Sequence, residues 1–406
     1  MKSNLNLAWR NLWRNKRRTL ITVASVFFGV LFSTIMSSMQ EGSYSSMIDN
    51  VVKFYSGYIQ VHDKDYWEKK TINNSLMPTD SLINALYGVE EITLVTPRLE
   101  SFALASSEEI TRGCMVFGID PEKEKQVMDI EKWLVDGEYL DNGDDGILVG
   151  SDLAKYLELQ AGDTLVMIGQ GYHGSSAAGK YPIRGIVKFP APELNRQTLY
   201  MTLEKCQEFF SAENLVSSLV LMIKSQYNLN KAMRKLDRVI DSPYSVMSWE
   251  EMQPEMLQMI EADRAGAVVM KAILYIIIGF GILGTIMMMV SERKREMGVM
   301  IAIGMQRFKL AAILFYETVF IGFLGVLVGF AGSIPIIAYY YQNPIPLSGD
   351  AADTMEQMGI EPQLYFSWLP SVFYNQVTTV FIITAIIALY PVLSTSKLKV
   401  YLALRA

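Results

Sequence analysis

The sequence predicts a polytopic α-helical membrane protein: four transmembrane helices, with a large extracytoplasmic α+β domain between helices 1 and 2. Three observations carry this. Half of the 406 residues are hydrophobic, and a mean hydropathy of +0.20 is high for a soluble chain. The apolar residues gather in four runs, 20–39, 267–290, 310–341 and 372–393. Each is near or beyond the roughly 20 residues that cross about 30 Å of hydrocarbon. Between the first two runs lies a long mixed region, large enough for a core of its own.

The division expected is an amphipathic helix and first span (1–40), an outer domain (41–266), a second span (267–290) and a polar connection (291–309). A third span (310–341), an outer loop (342–371), and the fourth span with a C-terminal segment (372–406) follow. Orientation follows from Lys and Arg. Lys2, Arg10, Arg14, Lys16, Arg17 and Arg18 precede the first span. Arg293, Lys294, Arg295, Arg307 and Lys309 lie between the second and third, and Lys397, Lys399 and Arg405 follow the fourth. The loop 342–370 has no Lys or Arg but carries Asp350, Asp353, Glu356 and Glu361. Both ends and the 291–309 connection are therefore predicted cytoplasmic, the large domain and last loop outside. The net charge of −6 belongs mostly to the outer parts and gives no reason to expect a nucleic-acid partner.

Residues 4–18 read as a helix with Leu5, Trp9, Leu12 and Trp13 on one face and Arg10, Arg14 and Arg17 beside them, a pattern suited to the inner leaflet surface. The first span has a basic start, a long apolar core and no Ala-x-Ala site, and reads as an uncleaved anchor. Ser33, Thr34, Ser37 and Ser38 make its outer end polar, so that end is expected to face a helix or cavity rather than lipid. In the outer domain, strands are predicted at 57–62, 92–97, 114–119, 147–150, within 161–168 after a turn, and at 181–189, 197–201 and 219–223. Helices are predicted at 78–86, after Asp120, from Ser151, at 202–210 and at 229–240, with Ser151 and Thr202 as caps. Cys114 and Cys206 are expected as two separate buried thiols, with one disulfide as the alternative.

The connection 291–309 is the stretch around which the rest is organised. Glu292, Arg293, Lys294, Arg295 and Glu296 form a knot of mixed charge. Residues 297–303, including Gly298, read as a short apolar helix that Gly304 ends. This is a handle that another protein can push. Glu317 lies inside the third span, which makes it a functional candidate; pairing with an Arg or Lys of the handle is the expectation preferred here. Gly325 and Gly329 permit close helix contact, and Pro335 and Pro391 are expected to kink or end their helices.

Motifs for chemistry are missing. Gly174 to Lys180 has phosphate-loop spacing, but Tyr181 stands where Ser or Thr is needed and a strand pattern follows. A flexible outer loop is expected there instead. His62 and His173 are the only histidines and have no Cys nearby, so no metal site is expected. Without a Gly-x-Ser-x-Gly elbow or a plausible triad, no enzyme is expected in this chain.

Several segments, taken together and in order, resemble the FtsX-like permeases of type VII ABC transporters. These are the run from Leu7 to Leu20, Ser291-Glu-Arg-Lys-Arg-Glu-Met-Gly298, Ala302-Ile-Gly304, the Glu317 position, and the ending Tyr390-Pro391 … Val400-Tyr-Leu-Ala-Leu-Arg405. In the outer domain, Asp136-Gly-Glu-Tyr139, Leu148-Val-Gly-Ser-Asp-Leu-Ala154 and Gly162-Asp-Thr-Leu165 look like the MacB-type periplasmic core domain. Chain size and span number look most like the lipoprotein-releasing permeases of the Lol system. The resemblance implies a bacterial inner (cytoplasmic) membrane protein that pairs with a second permease and with ABC ATPase subunits. ATP and magnesium would bind the ATPase, and this chain would hold no cofactor. Glu292, Arg293, Arg295, Glu296, Gly298 and Gly304 would couple to the ATPase. The spans would drive the outer domains by mechanotransmission rather than form a channel. Residues 185–195, with Phe189, Pro190, Pro192 and Asn195, lie where a loop would dock a periplasmic lipoprotein carrier, and the two prolines are expected to hold it extended. Export of a peptide or amphiphile through a periplasmic adaptor, and signalling to a cell-wall hydrolase, are the alternative functions.

Overall fold

The computed structural model describes residues 9, 10, 12, 13, 16–107, 110–357 and 362–397. The C-terminal ending, most of the stretch before Lys16 and Glu361 lie outside them. The chain forms two compact units. One holds Met1–Ser46, Met259–Pro346 and Gln363–Ala406; the other holds Met47–Gln258 and Leu347–Pro362.

The first unit is built from four helices long and apolar enough to cross a membrane: Thr19–Phe54, Pro254–Glu292, Arg307–Gln342 and Pro370–Ser396. They pack where side chains are small. A Cβ on Gly325 would stand 2.5 Å from Val26 Cβ, and one on Gly329 2.8 Å from Val30 Cβ, so the third span lies directly on the first. Gly322 presses on Thr384 of the fourth span, and Gly29 on Ile278 of the second. Close backbone approach is how helices associate where burial from water gives no driving force. Ser33, Thr34, Ser37 and Ser38 are all buried within the protein, as their polarity required. Ser38 Oγ donates to the Ser367 carbonyl at 2.7 Å, and Ser367 N–H donates back to Ser38 O at 2.9 Å. The fourth span is broken at Ala388, into Pro370–Ile387 and Leu389–Ser396. Pro391 has no N–H to offer Ile387, four residues back, and its ring crowds that carbonyl. Pro335, by contrast, lies inside an unbroken helix, Arg307–Gln342.

The second unit is α+β. Its strands are β1 (Ile59–Asp63), β2 (Ile92–Ser106), β3 (Thr111–Ile119), β4 (Leu134–Gly137), β5 (Ile147–Gly150), β6 (Thr164–Gln170), β7 (Ser176–Val187), β8 (Thr198–Thr202), β9 (Ser218–Ile223) and β10 (Tyr244–Ser248). Six of them pair in a closed ring, β2–β3–β8–β5–β7–β6 and back to β2. A closed ring leaves those strands no free edge. Leu99, Val116, Val149, Leu165, Met167 and Leu199 belong to one buried cluster with Phe209 and Phe210. The first half of β2 instead pairs with β9, which with β1 and β10 forms an antiparallel extension.

Several local expectations are corrected. β2 runs past Pro97 to Ser106 and returns as β3, and β4 and β10 are additional strands. Gly150, not Ser151, occupies the cap position of the Ser151–Tyr156 helix. Thr202 occupies a cap position without capping; its hydroxyl donates to the Asp144 carbonyl at 3.2 Å. The phosphate-loop look-alike is not a flexible loop: Tyr172–Gly174 is a tight turn and β7 begins at Ser176. Cys114 and Cys206 are both free and buried. Burial pushes the Cys114 thiol up to about 12 and raises that of Cys206 as well.

Candidate functional site: the handle between the second and third spans

The handle is a helix, Lys294–Ala302, that starts two residues after the second span helix ends at Glu292. Arg293 sits at the junction with φ −91° and ψ 3°, outside helical geometry. The break turns its side chain inward. Arg293 is 5% exposed, and Nη1 donates to both carboxylate oxygens of Glu317 at 2.7 Å each. Glu317 is 1% exposed. The handle is thus bolted to the third span by a buried, charge-assisted contact. Sequence reasoning anticipated a partner for Glu317 in the handle; the geometry selects Arg293.

Apolar packing supports the bolt. Met297 and Gly298 are buried, and Met297 clusters with Met289, Val290, Leu310 and Leu314. The other face is open: Lys294, Arg295 and Glu296 are exposed, as is Glu292. The helix then stops as its sequence required. Gly304 has φ +104°, its N–H donates to Ile301 O at 3.0 Å, and Met305 N–H donates to Met300 O at 3.0 Å. This pair of bonds is the Schellman arrangement, with the glycine at the left-handed position. Two residues that sequence reasoning passed over flank this turn. Ile303 is 81% exposed and Phe308 84%. Their signal was an apolar residue on each side of a glycine turn inside a polar connection. Arg307 Nη1 donates to the Ser396 carbonyl at 2.9 Å, tying the turn to the end of the fourth span.

The segment 189–195 is not extended. Pro192–Gln197 is a helix, with Pro192 in the first turn, where its missing N–H costs nothing. Phe189 is buried against Phe54 and Tyr200. Asn195 is buried too: its Oδ1 accepts from Phe189 N–H and its Nδ2 donates to Phe189 O, both at 2.8 Å. Phe189 and Asn195 therefore pin the segment from inside, while Glu193 within it and Lys188, Arg196 and Gln197 beside it are exposed. Among the described residues no group of three His, Cys, Asp or Glu side chains is placed to hold a metal. His62 is buried beside Tyr66 and Trp67, and burial lowers its pKa.

A bundle of four apolar helices, a handle bolted to one of them and an α+β domain inserted between the first two define a membrane protein with a large inserted domain. The profile of the MacB-like periplasmic core domain matches residues 19–239, and that of the FtsX-like permease C-terminal region matches 268–400. The chain belongs to this family, the FtsX-like ABC transporter permeases with a MacB-like periplasmic core domain. It is similar to an uncharacterised ABC transporter permease of Methanocaldococcus jannaschii, 19% identical over 80% of this chain and 81% of that one. It is also similar to the lipoprotein-releasing system transmembrane protein LolC of Neisseria meningitidis serogroup B, 20% identical over 77% of this chain and 75% of that one. Among solved structures, the extracellular domain of the noncanonic ABC-type transporter YknZ from Gram-positive bacteria aligns with a TM-score of 0.34 and 15% identity. That alignment covers 47% of this chain and 99% of that one.

Proposed function

We propose that this permease releases lipoproteins from the bacterial inner membrane to a periplasmic carrier, driven by a separate ABC ATPase subunit and working as a pair of permeases. The observation behind an external drive is the handle, an exposed helix whose buried side is fastened to the third span. Movement imposed on its open face would reach the bundle without a channel through it. The choice of lipoprotein rests on similarity to LolC along most of both chains. The physical need for a drive is clear. Each buried CH₂ of an acyl anchor contributes about 0.8 kcal/mol, so a multiply acylated protein does not leave a bilayer unaided. In this reading both ends of the chain and the handle are cytoplasmic, and the large domain is periplasmic.

The test is reconstitution of the chain and its ATPase in vesicles with a radiolabelled lipoprotein, ATP and a soluble lipoprotein carrier. ATP-dependent transfer to the carrier is expected. ATP hydrolysis without transfer would overturn the lipoprotein reading. The match to a MacB-like core domain favours export through a periplasmic adaptor as the second reading, for which that same result would be the starting point.

A further inference from the structure

The first helix runs from Lys16 to Val51 and the second from Pro254 to Glu292. Both exceed the roughly 20 residues that span hydrocarbon, so each carries a segment beyond its apolar run. On the second helix, residues 261–266 are exposed at every position, between buried Ile260 and Ala267. Apolar packing holds the helix on either side of this stretch but not within it. Tyr44 of the first helix, 6% exposed, reaches it. The Tyr44 hydroxyl donates to Asp263 Oδ2 at 2.7 Å, and the Arg264 guanidinium lies 5.2 Å from the ring centroid. One aromatic side chain holds two neighbouring residues of opposite charge, one through its hydroxyl and one through its face.

The first helix is fixed from another side just before this point. A Cβ on Gly42 would stand 2.4 Å from the Tyr365 carbonyl oxygen, and Ser38 exchanges its two hydrogen bonds with Ser367. The segment 365–367 is therefore a strap across the first helix. Its backbone lies tight against Gly42 and is hydrogen-bonded by both the hydroxyl and the carbonyl of Ser38, which leaves little room to slide. The Tyr44 contact is different in kind: a buried tyrosine meets two exposed charged side chains, strong enough to bias a spacing and weak enough to open.

We infer that Tyr44, Asp263 and Arg264 form a latch that sets the spacing of the first and second helices beyond their apolar runs. They are positioning residues for movement passed to the outer domain. The latch itself stands on the geometry; the role in coupling rests on the permease reading above. The experiment places spin labels on Ser46→Cys and Glu261→Cys in the full-length chain in lipid nanodiscs and reads their separation by pulsed electron resonance. Cys114 and Cys206 are buried free thiols and take no label. A single narrow distance distribution is expected for the labelled parent. Tyr44→Phe, which keeps the ring and its packing, and Asp263→Asn should each broaden it or move it to longer distance, while Asp263→Glu should retain it. A distribution unchanged by both Tyr44→Phe and Asp263→Asn would overturn the latch. With the ATPase, lipoprotein and carrier present, Tyr44→Phe should lower transfer per ATP hydrolysed by at least about fivefold. Unchanged transfer per ATP would overturn the positioning role. Absence of transfer in the parent, with the distances still responding, would count against the lipoprotein reading and leave the latch in place.

Discussion

Replacing Glu317 by Gln tests the bolt between handle and third span. The change keeps the side chain's size and removes its charge. Arg293 then keeps a full positive charge at 5% exposure, having lost its carboxylate partner at 2.7 Å, and its Nε already has no hydrogen-bond partner. Breaking one side of a buried ion pair costs about 3–5 kcal/mol, because the survivor is left desolvated and uncompensated. Removing both sides is a different experiment. Arg293→Met with Glu317→Leu replaces two costly desolvations by apolar contact with the Met297 and Leu314 cluster, and such exchanges are often neutral or stabilising. The assay is denaturant titration of the purified chain in mild detergent, followed by circular dichroism of the helices. Glu317→Gln should lose several kcal/mol and the double variant should recover most of it. With the ATPase bound, however, the double variant should hydrolyse ATP without transfer, because the fold is restored and the directional contact is not. A loss under about 1 kcal/mol for Glu317→Gln, or a double variant as unstable as the single, would refute the reasoning.

Other outcomes follow from the same geometry. Gly325→Ala drives a Cβ to 2.5 Å from Val26 Cβ and should cost about 1–3 kcal/mol in that titration, whereas Gly281→Ala meets open space and should be neutral. Gly304→Ala forces a side chain onto a φ of +104°; about 1–2 kcal/mol of local strain should fray the handle, seen as faster amide exchange at residues 300–305 with the spans unaffected. Lys231 and Lys235 beside Glu91 hold its carboxyl at about 2, below the ordinary 4.5. A depressed carboxyl stabilises the fold above its unfolded pKa, so stability should fall as pH drops from about 4.5 towards 2, a window that Glu91→Gln should flatten. Asn195→Ala orphans the buried N–H and C=O of Phe189 and should destabilise the outer domain by about 1–3 kcal/mol for each unpaired group.

The spans were legible because a membrane helix announces itself by apolar length alone, and the outer end of the first span by four hydroxyls that lipid would not accept. Gly304 was legible because few residues other than glycine suit its backbone angle. Arg293 as the partner of Glu317 was not. The knot offered three cations, and the choice depends on a break in the helix at residue 293 that periodicity does not show. The strands missed were those that bury least in the usual way. β4 is mostly exposed and β10 is half-buried along most of its length, so neither shows the alternation of a strand with one dry face. β2 was cut short at Pro97, yet the residues beyond it pair on both sides with β3 and β6. The 189–195 segment failed for a third reason. Two nearby prolines suit an extended chain, but Pro192 equally suits the first turn of a helix. The buried Asn195, closing on the Phe189 backbone, settles which one forms.

The contacts along the third span differ in kind from end to end, and the difference bears on how it moves. Its handle end is held by a buried ion pair, which resists separation but also fixes direction, since one Nη atom must meet one carboxylate. Its middle is held by glycines set against Val26, Val30 and Thr384, where any relative slide of a few tenths of an ångström meets a wall of methyl groups. In the function proposed above, a helix fixed in this way would pass a push on the handle to the first and fourth spans rather than bend to absorb it. The first span is then held by the strap at Ser38 and Gly42, which ties it to the segment before the fourth. Spans one and three thus meet at the glycine contacts, and spans three and four at Gly322 and Thr384 and again at Arg307 and Ser396. The second span packs on the first at Gly29 and Ile278 and runs on into the handle; beyond its apolar run it meets the first helix through Tyr44. Its separation from the first helix is therefore the coordinate to follow when the handle is moved.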